Sequence, residues 1–180
     1  MTTTRLTNLE GETHRVSELS ANVEGVPSQV FAAHLLASLV AGGATRIFIA
    51  PGARSQALTI AAGQLADAGK AELYVRLDER GLGFSALGAA LASGEPSIVI
   101  TTSGTAVANL HPAVLEANHS GVGLILLTAD RPAELRGVGA NQTTSQPGIF
   151  GDAVRLSLDL EAPTQGVPQL AREIGRASCR

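Results

Sequence analysis

The sequence predicts an α/β fold, a three-layer sandwich in which helices cover both faces of a mostly parallel sheet. Short β-rich runs alternate with helical patterns about every 25 residues, which is typical of parallel strands joined by crossover helices. Of the 180 residues, 44% are hydrophobic and only 3% aromatic, so the core is built from Ala, Leu, Val and Ile. The 20 glycines recur between the predicted elements, as the loops of such folds require.

Four strands are predicted where short apolar runs are bounded by glycine, proline or polar turns. They cover residues 46–50, 73–77, 97–101 and 124–128. A fifth run with strand-like alternation covers residues 154–158. Because helical patterns separate the first four runs, we expect those strands to pair in parallel.

Helical patterns fill the intervals between the strands. They cover residues 28–41, 56–68, 79–93, about 105–119 and 168–176. We expect Ser28 to cap the first helix and Gly42 with Gly43 to end it. Pro112 lies inside the fourth helix and predicts either a kink or a restart at a first-turn position.

The remaining sequence features bound the class of protein. Residues 1–25 are polar without a period, so we expect a polar N-terminal tail before one domain at 26–180. A net charge of −3 without a basic cluster argues against nucleic acid as a partner. No apolar run approaches the ~20 residues of a membrane span, and residues 1–10 lack a signal core. With Cys179 as the single cysteine, an intramolecular disulfide is excluded, and we expect a soluble, cytoplasmic protein.

Polar residues follow each of the first four strands. The groups are residues 53–55, 78–80, 102–105 and 130–131. Parallel strands end at the same edge of a sheet, so all four groups are expected to project from one edge. Open α/β sheets bind ligands at such an edge.

The acidic pair Asp78 and Glu79 lies where a strand meets a helix N-terminus. Two interpretations are open. The acids could only favour the helix dipole, or one of them could serve a ligand site. Gly81 and Gly83 remove side chains nearby, which would let a flat ligand or another subunit approach closely.

Several common site types are disfavoured. The chain has no phosphate loop, and the pattern at Gly81 and Gly83 lacks the third glycine of a dinucleotide fingerprint. Ser103 follows a strand, but Thr101 stands where a hydrolase elbow needs glycine. The four histidines have no metal-ligand spacing. Arg54 and Arg131 are stronger signals, because a guanidinium fork suits carboxylates, although each could equally be a solvated or salt-bridged arginine.

Five segments in this order resemble the 2-succinyl-5-enolpyruvyl-6-hydroxy-3-cyclohexene-1-carboxylate synthases, which are thiamine-diphosphate transferases of menaquinone biosynthesis. The segments are IAPGARS (49–55), DERGLG (78–83), TSGTAVAN (102–109), LLTADRP (126–132) and GANQ (139–142). The resemblance covers about residues 26–163 and implies the pyrimidine-binding domain of such an enzyme. The wider thiamine-diphosphate superfamily shares only the strand–Glu–helix arrangement, so the narrower family rests on the last two segments.

The resemblance also implies roles for individual residues. Glu79 matches the catalytic glutamate that contacts the aminopyrimidine ring of the cofactor, and Thr105 matches a cofactor-binding position. The substrate-binding positions of the family are matched by Ala53, Arg54, Arg131, Asn141 and Gln142. Ala53 replaces the usual serine of the family, which removes one hydroxyl contact. The implied substrates are 2-oxoglutarate and isochorismate, both of which carry carboxylates.

The resemblance further implies a longer parent protein. In the family, a Gly-Asp-Gly motif and a downstream Asn pair hold the diphosphate and Mg²⁺ (or Mn²⁺), and residues 151–153 do not match that motif. Residues 176–180 do not continue the family pattern either. We therefore expect a fragment that is inactive alone, from a parent that forms a homodimer or tetramer, with the metal site in the missing part.

Two alternatives stay open from the sequence. The chain could belong to another thiamine-diphosphate decarboxylase or synthase with a different acceptor. It could instead be a binding or assembly module without catalysis. Product analysis with 2-oxoglutarate and isochorismate separates the two enzymes, and the downstream reading frame would test the fragment hypothesis.

Overall fold

The computed structural model describes residues 5–7, 13–15 and 26–163. In the N-terminal part, β1 (Arg5–Thr7) and β2 (Thr13–Arg15) pair antiparallel. The sequence predicted only a polar tail there, because three-residue strands are too short to show a period. The helix predicted at residues 168–176 lies outside the described residues.

The main sheet has four strands, all parallel, in the order β4-β3-β5-β6. Their bounds are Arg46–Ile49 for β3, Glu72–Val75 for β4, Ser97–Thr101 for β5 and Leu124–Thr128 for β6. In the register, Phe48 lies opposite both Tyr74 and Val99. The predicted parallel pairing of the four central runs is therefore confirmed.

Five α-helices precede or connect these strands within the described part of the chain. They are α1 (Pro27–Ala41), α2 (Gln56–Asp67), α3 (Glu79–Ser93), α4 (Thr105–Ala108) and α5 (His111–Ser120). Short 3-10 turns cover Ala53–Ser55, Ala133–Leu135 and Gly151–Ala153. Of the two alternatives for Pro112, the restart is correct, because α4 ends before it and α5 has the proline in its first turn. No helix in the described ranges is both long and apolar enough to cross a membrane.

Alternate residues of each strand enter two separate cores, one on each face of the sheet. Ile47, Ile98 and Ile125 pack with the buried faces of α1 and α2. Phe48 and Val99 pack on the opposite face with buried residues of α3 and α5. The period of two along each strand thus produces the three layers, and the predicted fold class is confirmed.

Two details of the predicted elements are wrong. Ser28 does not cap α1, because the helix begins at Pro27, whose fixed φ and missing N–H suit the first helical position, and Val26 precedes it. Residues 154–158 form no strand, and their alternating leucines, Leu156 and Leu158, are about half exposed. A strand needs a hydrogen-bonding neighbour as well as a pattern, and this run pairs with no strand of the described sheet.

Candidate functional site

The four polar groups that follow the strands lie along one edge of the sheet. In the strand order, Glu79 follows β4, Arg54 follows β3, Thr105 follows β5 and Arg131 follows β6. Neighbouring strands are about 4.8 Å apart, so this row extends over about 14 Å. The predicted convergence at the carboxyl edge is confirmed by the parallel topology.

The acidic pair at the start of α3 divides into two roles. Asp78 is the N-cap, and its Oδ1 accepts a hydrogen bond of 2.6 Å from the backbone N–H of Gly81. Glu79 is the first residue of the helix and is half-buried. Within the described residues its carboxylate makes no hydrogen bond or ion pair. The helix-start interpretation therefore explains Asp78 and leaves Glu79 available to a ligand.

Gly83 has a structural role inside the domain. A Cβ at this position would lie 3.0 Å from the Cβ of Ala113 and 3.3 Å from Leu110 Cδ2. The glycine therefore lets α3 pack closely on α5, and the sequence-based idea that it admits a ligand or a second subunit is wrong. Gly81 is exposed, and a Cβ there would lie 3.0 Å from the capping oxygen of Asp78.

The turn after β3 is packed against the end of β5. A Cβ on Gly52 would lie only 2.3 Å from the Cβ of Thr102, so glycine is required for this approach. The buried Ser55 donates its hydroxyl to the carbonyl of Gly52 at 3.0 Å, which fixes the turn. Ala53 and Arg54 are exposed at its tip. Beside the turn is an open depression of about 420 Å³, lined by Pro51, Gly52, Ala53, Gln56, Thr59 and Ile60.

The turn after β5 is in contact with the long loop that follows β6. The buried Ser103 donates its hydroxyl to the carbonyl of Gln142 at 2.8 Å. Gly104 has φ +81°, and a Cβ there would lie 2.9 Å from the carbonyl carbon and oxygen of Gln142. Thr105 is exposed at the first position of α4, beside this contact.

The loop after β6 is held by Arg131 and Arg136. The guanidinium of Arg131 donates to the carbonyl of Asn141, while its Nε is buried and has no hydrogen-bond partner among the described residues. Arg136 donates through Nε to the carbonyl of Arg131 at 3.0 Å. Its other nitrogens reach Asp130 at 3.0 Å and Asp159 at 2.7 and 3.0 Å.

The pKa values of Asp130 and Asp159 are shifted in opposite directions, one by burial and the other by a hydrogen bond. Burial raises the pKa of Asp130, and the nearby Arg136 partly opposes that shift. The hydrogen bond from Arg136 lowers the pKa of Asp159. Arg136 therefore links the strand end at β6 to the segment near Asp159 through two differently buried acids.

Comparison with known proteins identifies the domain. Residues 30–153 match the family described as thiamine pyrophosphate enzyme, N-terminal TPP binding domain. The chain belongs to this family. The match covers more than half of the 180 residues and includes all four strands of the main sheet and the turns that follow them.

Close relatives of this TPP-binding domain carry the name 2-succinyl-5-enolpyruvyl-6-hydroxy-3-cyclohexene-1-carboxylate synthase. The protein from Leifsonia xyli is 56% identical over 140 residues, which are 78% of this chain and 24% of the relative. The protein from Clavibacter michiganensis is 54% identical over 149 residues, 83% of this chain and 25% of the relative. The one from a Nocardioides species is 58% identical over 123 residues, 68% and 23% of the two chains. The resemblance seen in the sequence is confirmed, and the chain spans about a quarter of the length of these curated relatives.

The TPP-binding domain brings some of the predicted site residues into contact and leaves others apart. Arg131 contacts Asn141 directly, and Gln142 contacts the turn that bears Thr105. Arg54 and Glu79 lie farther along the edge, on the turns after β3 and β4. The roles of all these residues stay predictions, because the comparisons do not assign individual residues.

Sequence reasoning missed two residues that organise this edge, Gln146 and Arg136. Both lie in the loop over residues 136–150, and the length and glycine content of this loop favour a functional role. Neither has a periodic or motif signal, since each acts through contacts that are distant in sequence. Gln146 is only 7% exposed although it lies in a loop, and burial of a polar side chain is visible only in the structure.

The described ranges contain no group of three or more His, Cys, Asp or Glu residues that could hold a metal ion. The family binds thiamine pyrophosphate, which has an aminopyrimidine ring at one end and a diphosphate at the other. The free, half-buried carboxylate of Glu79 at this edge is available to accept a hydrogen bond from a heterocycle. The described residues offer no cluster of carboxylates that could hold the metal ion of a metal-bound diphosphate.

Proposed function

We propose that this domain serves a synthase that decarboxylates 2-oxoglutarate and transfers the remaining four-carbon unit to isochorismate in menaquinone biosynthesis. The observation that supports this most directly is spatial. The five segments that resemble this synthase family all lie at or beside the carboxyl edge of the sheet, in a chain 56% identical to a relative of that name.

Glu79 is proposed to hold a proton at the aminopyrimidine ring of the cofactor. Thiamine diphosphate, when bound, supplies a nucleophilic carbon and an electron sink for decarboxylation. The Glu79 carboxylate is suited to the ring because Asp78 already caps α3, so the helix does not engage Glu79. Thr105, exposed at the start of α4, is proposed to line the same cofactor.

The substrates are proposed to bind through Arg54, Arg131, Asn141 and Gln142. Both substrates carry carboxylates, and a guanidinium can bind a carboxylate through two parallel hydrogen bonds. Arg131 supports this role because it is half-buried at the carboxyl edge and its guanidinium reaches the loop that bears Asn141 and Gln142. Ala53 is exposed beside Arg54, where its methyl group offers no hydrogen bond to the substrate.

The diphosphate and its Mg²⁺ (or Mn²⁺) are proposed to bind outside residues 26–163. Both metals prefer oxygen ligands such as carboxylates. The described residues contain no cluster of carboxylates that could hold either metal. Assembly as a homodimer or tetramer and a cytoplasmic location stay predictions. A larger assembly would let a second domain cover the edge that bears Glu79.

The proposal is tested in the full-length protein that carries this chain. With 2-oxoglutarate and isochorismate, we expect product formation that depends on thiamine diphosphate. Glu79→Gln keeps the shape of the side chain and removes its proton exchange, so the rate should fall by ~10²–10⁴-fold. Glu116→Gln, an exposed glutamate on α5, is the matched control and should leave the rate unchanged.

Two outcomes would count against the proposal. A Glu79→Gln rate within a factor of two of the wild type would remove the proposed role of Glu79. Consumption of 2-oxoglutarate with another acceptor, and not with isochorismate, would indicate a different thiamine-diphosphate synthase.

A further inference from the structure

Gln146 joins three segments at the carboxyl edge of the sheet through one buried side chain. Its Oε1 accepts a hydrogen bond of 2.9 Å from the backbone N–H of Gly104. Its Nε2 donates to the carbonyl of Ala129 at 3.0 Å. Gln146 is only 7% exposed, and the hydrogen bond to Gly104 is buried while that to Ala129 is partly buried. One amide therefore connects the turn after β5, the end of β6 and the loop that bears Asn141 and Gln142.

The surfaces that Gln146 joins are closely packed. Ser103 also donates to Gln142, and Gly104 leaves no room for a Cβ beside the same carbonyl. Gln142 itself has φ +54°, which is uncommon for a residue other than glycine and persists only where the surroundings impose it. The loop is therefore held in a conformation that it would not adopt alone.

We propose that Gln146 is a positioning residue that sets the distance between the cofactor side and the substrate side of the site. The inference rests on the proposed function, in which Thr105 lies on the cofactor side and Asn141 with Gln142 on the substrate side. Gly104 immediately precedes Thr105, so the hydrogen bond to Gln146 fixes the start of α4 relative to the loop. The Nε2 contact fixes the same loop to Ala129, two residues before Arg131.

The first test measures the hydrogen bond itself, in the full chain and without activity. Gln146→Met keeps the volume of the side chain and removes both hydrogen bonds. We expect exchange of the Gly104 amide proton to accelerate at least ~10-fold, because a buried donor is left unpaired. Gln64→Met, the same change at an exposed glutamine of α2, is the matched control and should leave that amide unchanged. Unchanged exchange in Gln146→Met would overturn the proposal.

The second test separates positioning from a purely structural role, in the full-length protein that carries the chain. Gln146→Met is expected to raise KM for the two substrates by ~10-fold while kcat falls less than ~3-fold, because the bound geometry and not the proton transfer is altered. Faster exchange at Gly104 with an unchanged KM would show that Gln146 only supports the fold. Wild-type protein without synthase activity would contradict the proposed function, whereas the exchange result would stand on its own.

A third variant covers the case in which Gln146→Met fails to fold. Gln146→Glu introduces a carboxyl that, when protonated, has one donor and one acceptor like the amide. Burial favours that protonated form. Relative to the wild type at each pH, KM for this variant should recover as the pH falls and the introduced carboxyl is protonated. A KM ratio for Gln146→Glu that does not change with pH would overturn the proposal.

Discussion

Gly52→Ala tests the close packing between the turn after β3 and the end of β5. The backbone of Gly52 is extended, with φ −167°, so alanine meets no conformational penalty there. The obstacle to alanine at this position is steric. The new Cβ would lie 2.3 Å from the Cβ of Thr102 and 2.8 Å from both its Cγ2 and Oγ1, whereas carbon atoms in contact are normally about 3.5–4.0 Å apart.

The overlap cannot be relieved by a rotamer change. Rotation about χ1 of Thr102 moves its Cγ2 and Oγ1 but leaves Cβ in place, and Thr102 is only 4% exposed. The backbone of the turn must therefore move by about 1 Å, which places the cost near the upper end of the ~1–3 kcal/mol of overpacked cores. A gain of about 0.4–1 kcal/mol from the stiffer unfolded chain offsets part of this. We expect Gly52→Ala to lower the free energy of unfolding by about 2–2.5 kcal/mol.

Gly88→Ala provides the matched control for this experiment. Gly88 lies inside α3, and a Cβ there would meet no atom within 4 Å. Alanine should therefore stabilise the helix by about 0.5–1 kcal/mol. Urea unfolding followed by circular dichroism gives both free energies, with the denaturant slope as a check for two-state unfolding. A Gly52→Ala variant as stable as Gly88→Ala would show that the turn after β3 accommodates a Cβ at this position.

Three further predictions concern the site and its supports. In the full-length protein, Arg131→Ala should weaken substrate binding by ~1.5–3 kcal/mol, which is about 10- to 150-fold in KM. Arg131→Lys should rescue only part of this loss, because the planar guanidinium fork is not restored. An equal loss of cofactor affinity in titrations would point to misfolding instead. Because Arg136 lowers the pKa of Asp159, this pair stabilises the fold above the ordinary aspartate pKa of about 3.9 and loses that contribution as the pH falls through the lowered value. Asp159→Asn should therefore be less stable than the wild type near neutral pH and should approach it in acid, and a constant difference across the pH range would contradict the ion pair. The 180-residue chain by itself should show no synthase activity and bind thiamine diphosphate weakly, since the described residues offer no carboxylate cluster for a metal-bound diphosphate; micromolar, Mg²⁺-dependent binding in calorimetry would contradict this.

Sequence alone predicted those elements whose signals are local. The bounds of α3 agree with the prediction because an N-cap at Asp78 and a left-handed glycine at Gly94 mark its ends within the chain itself. The bounds of β5 and β6 agree because buried apolar runs are short and clearly bounded. Four parallel strands then place the polar groups at one edge without any knowledge of side-chain contacts.

The features that the sequence did not predict depend on partners that are distant in the chain. Gly83 was expected to admit a ligand or a second subunit, but its role is set by its contact with Ala113 on α5. The strand predicted at residues 154–158 had the right alternation but no neighbouring strand. Gln146 gave no signal, because a glutamine in a polar loop is ordinarily solvated, and only its contacts with Gly104 and Ala129 reveal its burial.

The division between strand interiors and the turns that follow them has a consequence for how this domain can diverge. Residues exposed at the turn tips, such as Ala53 and Asn141, can be exchanged for others without a change in either core layer. Gly52 and Gly104 cannot, because each is in contact with the neighbouring turn. In the proposed function Ala53 and Asn141 contact the substrates, so a change of substrate preference is expected to arise at the tips while the two glycines are retained. Libraries that randomise Ala53 and Asn141 and keep both glycines would test this expectation by screening for a new acceptor.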